Sequence, residues 1–232
     1  MTVFHLSILS RAQMKLWPLL GSISNRFVLY GGTAIALRLG HRESVDFDFF
    51  SSSDFTTDQL IRETDFLTRG RRIQESLNTL TLLMTDPGFA RPVKLSFFGG
   101  LKLGEIHSPD MAPNGLRIAS LEDLLGMKCA VISQRAEAKD YLDIHAIITK
   151  TELSLSHGLA AARAIYGSQY NGALTLKALC FFQDGNVMTL PDEVKRDLTV
   201  KVKNCDLARI PEIVPQGIIG EGIPQDTSEF QP

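Results

Sequence analysis

The chain has 232 residues, 44% hydrophobic and 22% charged. That is enough apolar material for a sizeable core, with one large domain or a core plus a helical partner. A formal net charge of −2 gives no global basic field, so any RNA or DNA contact must come from a local patch. Cys129, Cys180 and Cys205 are odd in number and far apart, which excludes a cysteine metal cluster and fits a reducing compartment. No apolar run reaches membrane-spanning length, and no basic segment followed by an apolar run opens the chain. The expectation is a cytoplasmic protein with no membrane partner.

Apolar spacing predicts a helix over 7–24, a short buried strand over 27–30 and a helix over 33–39. A strand over 45–50 carries Asp46-Phe47-Asp48. Thr56 or Thr57 caps a helix to about Leu67, with Asp58 in its first turn. Three strands follow, near 71–76, 79–85 and 92–98, with Asp86-Pro87-Gly88 turning between the last two. Arg117-Ile118 adds a short strand. Ser120-Leu121-Glu122-Asp123 reads as a capping box opening a helix to about Arg135. A second helix spans 137–149, and 152–205 reads as further helices. From Arg209, prolines and glycines alternate and most charges are acidic, so this tail is expected to stay off the core. The order predicts an α+β fold. A mixed-sheet core over 1–118 is followed by a helical part over 119–208 and a tail over 209–232.

Chemistry concentrates in three places. Strand alternation puts Asp46 and Asp48 on one face and Phe47 and Phe49 on the other. Adjacent carboxylates repel unless a cation lies between them, and Mg²⁺ with its phosphates is the usual occupant. A solvated edge strand accounts for the Asp-x-Asp equally well. The preceding Gly31-Gly32-Thr33, at a strand-to-helix junction, tilts the reading toward a metal–nucleotide site, with amide donors at a helix start and a hydroxyl. His41, Arg42 and Glu43 read as solvated decoration.

Lys128 lies on an apolar stripe with Leu121, Leu124, Leu125 and Ile132, where a lysine must snorkel or meet an anion. Asp140 and Asp143 share a face of the next helix. Lys139 precedes Asp143 by four, the weaker orientation for a helix ion pair. Lys128, Arg135, Lys139, Asp140 and Asp143 therefore form a candidate cluster for a triphosphate. Third, Lys94 and Ser96 share one face of their strand, and an ordinary amphipathic strand explains them too.

Three blocks carry a resemblance: Tyr30 to Arg38, His41 to Phe50, and Ser120 to Lys128 leading into Lys139-Asp-Tyr-Leu-Asp143. Together, over about 25–149, they resemble the AbiEii/AbiGii-type nucleotidyltransferase toxins of abortive-infection and type IV toxin–antitoxin systems. The resemblance implies a polymerase-β-like nucleotidyltransferase core with Mg²⁺ as cofactor and an NTP as donor. It also implies a tRNA or protein acceptor and a cognate antitoxin. It assigns Gly32 and Thr33 to the triphosphate and Asp46 and Asp48 to metal; Gly31, Lys94 and Ser96 join them as candidate cofactor-binding residues. Lys128, Lys139, Asp140 and Asp143 match the third motif. Ser96 stands where the superfamily usually has a third carboxylate, and a serine is neither an anionic ligand nor a useful base at neutral pH. Asp86 is a candidate substitute. The alternatives are a nucleotide- or partner-binding protein without transfer activity, and an NTP-dependent phosphotransferase.

Overall fold

The computed structural model describes residues 3–86 and 89–221. Helix α1 (Arg11–Leu20) begins at Ser10, whose hydroxyl accepts from the Gln13 amide while the Gln13 side chain accepts from the Ser10 amide. That reciprocal cap splits the helix expected over 7–24, and Leu6–Ile8 is a separate 3₁₀ turn. Strand β1 (Val28–Tyr30) runs directly into α2 (Gly31–Leu39), and β2 (Asp46–Phe50) follows. Helix α3 (Thr57–Glu63) is capped by the Thr56 hydroxyl. It stops at Thr64, and Asp65–Arg69 continues as a 3₁₀ helix, so the helix predicted to Leu67 is shorter. Strands β3 (Arg71–Ser76), β4 (Thr79–Met84) and β5 (Val93–Phe98) come next. Pro87 and Gly88 of the predicted turn lie outside the described residues. Short strands β6 (Gly104–Glu105), β7 (Asp110–Met111) and β8 (Arg117–Ile118) close the first half.

Seven strands form one mixed sheet in the order β3-β4-β5-β2-β1-β8-β7. The β2–β5 and β1–β8 pairs are parallel and the other pairs antiparallel. One face is the core. Phe47, Phe49, Leu80, Leu82, Leu95 and Phe97 are fully buried there, and Phe49 stacks on Phe97 with centroids 4.9 Å apart. The other face presents Asp46, Asp48, Lys94, Ser96 and Thr81, because period two gives it every alternate residue.

The second half is helical: α4 (Leu121–Val131), α5 (Ala138–Lys150), α6 (Leu155–Tyr166), α7 (Gly172–Leu179) and α8 (Asp192–Lys203). Among the described residues, no helix is long and apolar enough to cross a membrane. Helices α4 and α6 approach closely through glycines. A Cβ on Gly126 would lie 2.8 Å from Ala161, and one on Gly158 would lie 2.8 Å from Leu125. Half of the capping box expected at Ser120 forms: its hydroxyl accepts from the Asp123 amide. The Asp123 carboxylate does not reach back to the Ser120 amide. It accepts from the Ile106 and His107 amides, at 2.7 and 3.1 Å, tying the β6 loop to α4.

The tail departs most from expectation. Strand β9 (Gly217–Ile218) pairs antiparallel with β6, and Ile219 is fully buried in the core. The Ile219 amide donates to Leu103 (3.0 Å), and its carbonyl accepts from Ser52 (2.8 Å). Glycines at Gly104 and Gly220 leave room for this docking: a Cβ on Gly104 would press Pro215 at 3.0 Å, and one on Gly220 would overlap the Arg26 carbonyl. The expectation that everything after Arg209 stays off the core is therefore corrected for residues 210–221. Residues 222–232 lie outside the described residues.

Candidate active site

The site begins where β1 becomes α2. Gly31 has φ +74°, and a Cβ there would sit 2.9 Å from Asp48 Oδ2, so both conformation and space demand glycine. The N-cap of α2 is Tyr30, and among the described residues no side chain caps the first-turn amides. Those donors and the helix dipole favour an anion in front of the turn. Gly32 leaves room for the Arg42 guanidinium, which a Cβ there would displace.

Strand β2 presents Asp46 and Asp48 beside this turn. In register across the parallel pair, Asp46 faces Lys94 and Asp48 faces Ser96. Lys94 Nζ is 2.9 Å from Asp46 Oδ2. Burial pushes the Asp48 carboxyl above its ordinary value; Lys94 opposes this, the Asp46 charge adds to it, and a hydrogen bond from Ser96 opposes it. The cross-strand row continues from Ser96 to Thr81 and on to Gln74. Register slips at Ile73, a bulge that turns both Ile73 and Gln74 to the cavity.

The opposite wall comes from the helices. Lys128 is buried, 2.6 Å from Asp140 Oδ1 and 2.8 Å from Asp143 Oδ2. Arg135 bonds Asp140 through Nε (2.8 Å) and Nη2 (3.2 Å). Arg42 grips both oxygens of Asp143, at 2.7 and 2.8 Å, and His41 Nε2 is 2.8 Å from Oδ1. The two aspartates are fully buried. Burial would raise the Asp143 carboxyl, but the hydrogen bonds from His41 and Arg42 and the charges of Lys128 and Arg42 outweigh it and hold it well below the carboxylate range. His41 Nδ1 is buried without a hydrogen-bond partner among the described residues.

Gly31, Gly32, Arg42, Asp46, Asp48, Lys94, Ser96, Lys128, Arg135 and Lys139 all line one open cavity of about 490 Å³. The structure thus brings most of the expected residues together and changes the roles of several. Asp140 and Asp143 do not face the cavity; they fix the cations that do. Thr33 is buried, and its hydroxyl donates to the Asp46 carbonyl and lies 2.8 Å from Ser44 Oγ, so it braces β2 rather than pointing at the cavity. Asp86 lines a separate pocket with Lys15, Phe66 and Arg69 and is not part of this site. His41 and Arg42, read above as decoration, belong to the buried ion network. A further pocket of about 280 Å³ shares Gly31, Asp48, Lys128 and Arg135 and adds Phe50, Phe98, Met127 and Tyr166.

The donor set fits a divalent cation. Asp46 and Asp48 converge on one face, and among the described residues no other acid lines the cavity. Five cations line the cavity with them, Lys94 on the same sheet face and Arg42, Lys128, Arg135 and Lys139 across from it, and Lys139 makes no ion pair among the described residues. An anion with several charges would complete the balance.

The family model for the nucleotidyl transferase AbiEii toxin, type IV toxin–antitoxin system, matches residues 20–201. An uncharacterized protein of Aquifex aeolicus, aq_aa25, is 31% identical over 179 residues, 76% of this chain and 81% of that protein. Among solved structures, JHP933 from Helicobacter pylori has a TM-score of 0.54 at 18% identity, over 84% of this chain and 92% of its own. MenT4, a nucleotidyltransferase toxin of Mycobacterium tuberculosis, has a TM-score of 0.53 at 17% identity, over 84% of both chains. These two likenesses are of fold alone.

Proposed function

Because the chain belongs to the AbiEii nucleotidyl transferase toxin family, we propose that it transfers a nucleotidyl group from an NTP to an acceptor hydroxyl on RNA, with tRNA first, or on a protein. A cognate antitoxin is the partner that such a family membership implies. The observation that carries the reading is the meeting of Asp46 and Asp48 with five cationic side chains around one cavity, at an uncapped helix start.

In this reading the triphosphate lies against the α2 amides, with Lys128, Arg135 and Lys139 on its charges. Asp46 and Asp48 would hold Mg²⁺, which when bound draws charge off the phosphoryl oxygens. Asp140 and Asp143 keep Lys128, Arg135 and Arg42 in place before substrate arrives, so little reorganisation is needed. The acceptor oxygen bonds to the α-phosphorus as the bond from that phosphorus to the β-phosphate oxygen breaks. Pyrophosphate leaves with the electron pair, and the acceptor proton passes to water in the open cavity.

The test is incubation with each α-labelled NTP, Mg²⁺ and either total tRNA or cell protein. Label on one acceptor with equimolar pyrophosphate supports the proposal, and loss of label in Asp46→Asn ties it to this site. Release of NDP would mean phosphoryl transfer instead. One observation favours a second reading, binding without transfer: Ser96 stands in register beside Asp48 where a third carboxylate would serve. Tight Mg²⁺–NTP binding with no labelled acceptor, and label appearing in Ser96→Asp, would establish it.

A further inference from the structure

We propose that this site takes a single divalent cation and that the Lys94 ammonium supplies the second fixed positive charge at the transferring phosphoryl group. The inference rests on the reading of the cavity as an NTP site and specifies its charge plan.

Three observations carry it. The residue facing Asp46 across β2 and β5 is a lysine, and the one facing Asp48 is a serine. Lys94 already occupies one oxygen of Asp46, at 2.9 Å, with both side chains about a third exposed to the cavity. Beyond Ser96, the row continues through Thr81 and Gln74, both neutral. A paired-metal site needs carboxylates that bridge two ions, and each Mg²⁺ demands near-octahedral oxygen coordination. Without nucleotide, two carboxylates, one of them shared with an ammonium, offer too few anionic oxygens for two such ions. Among the described residues no group of three or more His, Cys, Asp or Glu is placed to hold a metal. Two ions with Lys94 would set five positive charges against the two carboxylates, whereas one ion with Lys94 sets three.

Lys94 is therefore read as a catalytic cation, with an outcome that a mere phosphate contact would not give. Its removal should free Asp46 and tighten metal binding in the absence of any nucleotide. The experiment titrates the protein with Mn²⁺ alone, counting bound ions and their affinity by electron paramagnetic resonance. Wild type is expected to bind one Mn²⁺. Lys94→Met should still bind one, about tenfold more tightly, as lost competition for a charged oxygen predicts. Lys94→Arg should behave as wild type, and Lys94→Met/Ser96→Asp should bind two ions with measurable spin coupling. If Lys94→Met folds poorly, Lys94→Gln serves, since it removes the charge and keeps a polar head. Two Mn²⁺ in wild type, or an unchanged affinity in the neutral variants, overturns the inference and leaves nucleotidyl transfer standing. No Mn²⁺ bound by any variant overturns both the inference and the metal assignment of Asp46 and Asp48.

Discussion

Lys128 and Lys139 show how two lysines of one motif separate in role. Lys128 is buried between two buried aspartates, whereas Lys139 is exposed on the cavity wall. Truncating one partner of a buried ion network typically costs about 3–5 kcal/mol, because the remaining charges lose compensation. Lys128→Met should accordingly lower stability by about 3 kcal/mol in urea unfolding. Lys139→Met should move stability by no more than about 0.5 kcal/mol, as for a surface change, and weaken NTP binding. Equal unfolding midpoints for the two variants would contradict this division. The sequence shows that Lys128 must snorkel or meet an anion, since it interrupts an apolar stripe. It does not show which anion, because Asp140 and Asp143 reach Lys128 through a helix–helix approach that no spacing rule encodes. Arg42 and His41 are harder still. They sit in a short loop rich in charge, and only the fold brings that loop over Asp143, about a hundred residues away.

At the scale of elements, the strands were legible because alternation is a local property: Asp46-Phe47-Asp48-Phe49 and Val93-Lys94-Leu95-Ser96-Phe97 both divide cleanly between faces. The tail was not legible, because its signal is long-range. A stretch with many prolines and glycines reads as unordered unless a groove elsewhere suits it, and the groove here lies between Leu103 and Ser52. Ile219→Ala should cost about 2–5 kcal/mol, the usual range for emptying a fully buried isoleucine site, and a truncation after Leu207 should cost at least as much. Melting curves within a few degrees of the full chain would refute this. The same segment carries a pH dependence. Burial pushes the Glu105 carboxyl up to about 7, with the Gly220 amide and Arg117 pulling it down and Asp123 and Glu221 pushing it up. A carboxyl whose folded pKa exceeds its unfolded value binds more protons when folded. Its stabilising contribution is complete below the unfolded value and is lost as pH rises through about 7. Chemical denaturation of the wild type between about pH 4.5 and 7 should show this decline, and Glu105→Gln should flatten it.

For the whole molecule, the cavity is shared between the sheet and the helices of the second half. A ligand that binds only when both are assembled stabilises the folded state by mass action, about 2.7 kcal/mol at a hundredfold excess over Kd. For a chain of this size that corresponds to a rise of roughly 5–10 °C in Tm. Mg²⁺ with the preferred NTP should produce that rise, and the Asp46→Asn/Asp48→Asn protein should lose most of it. A shift that survives in the double variant would place the nucleotide elsewhere.

The docked tail has a consequence for the order in which the chain becomes itself. Gly220 and its acceptor Glu105 are 115 residues apart. During synthesis from the N-terminus, the groove at Leu103 and Ser52 is made long before the residues that fill it. At about 5–20 residues per second, roughly 6–23 s separate the two. Throughout that interval the β6 edge is unpaired and the slot for Ile219 is empty, so the sheet half must wait for residues 217–220 before its surface is closed. Contacts this distant in sequence are also the slow ones to form. The molecule is thus built to acquire its final rigidity late, after the helices that supply Lys128 and Lys139 have been made.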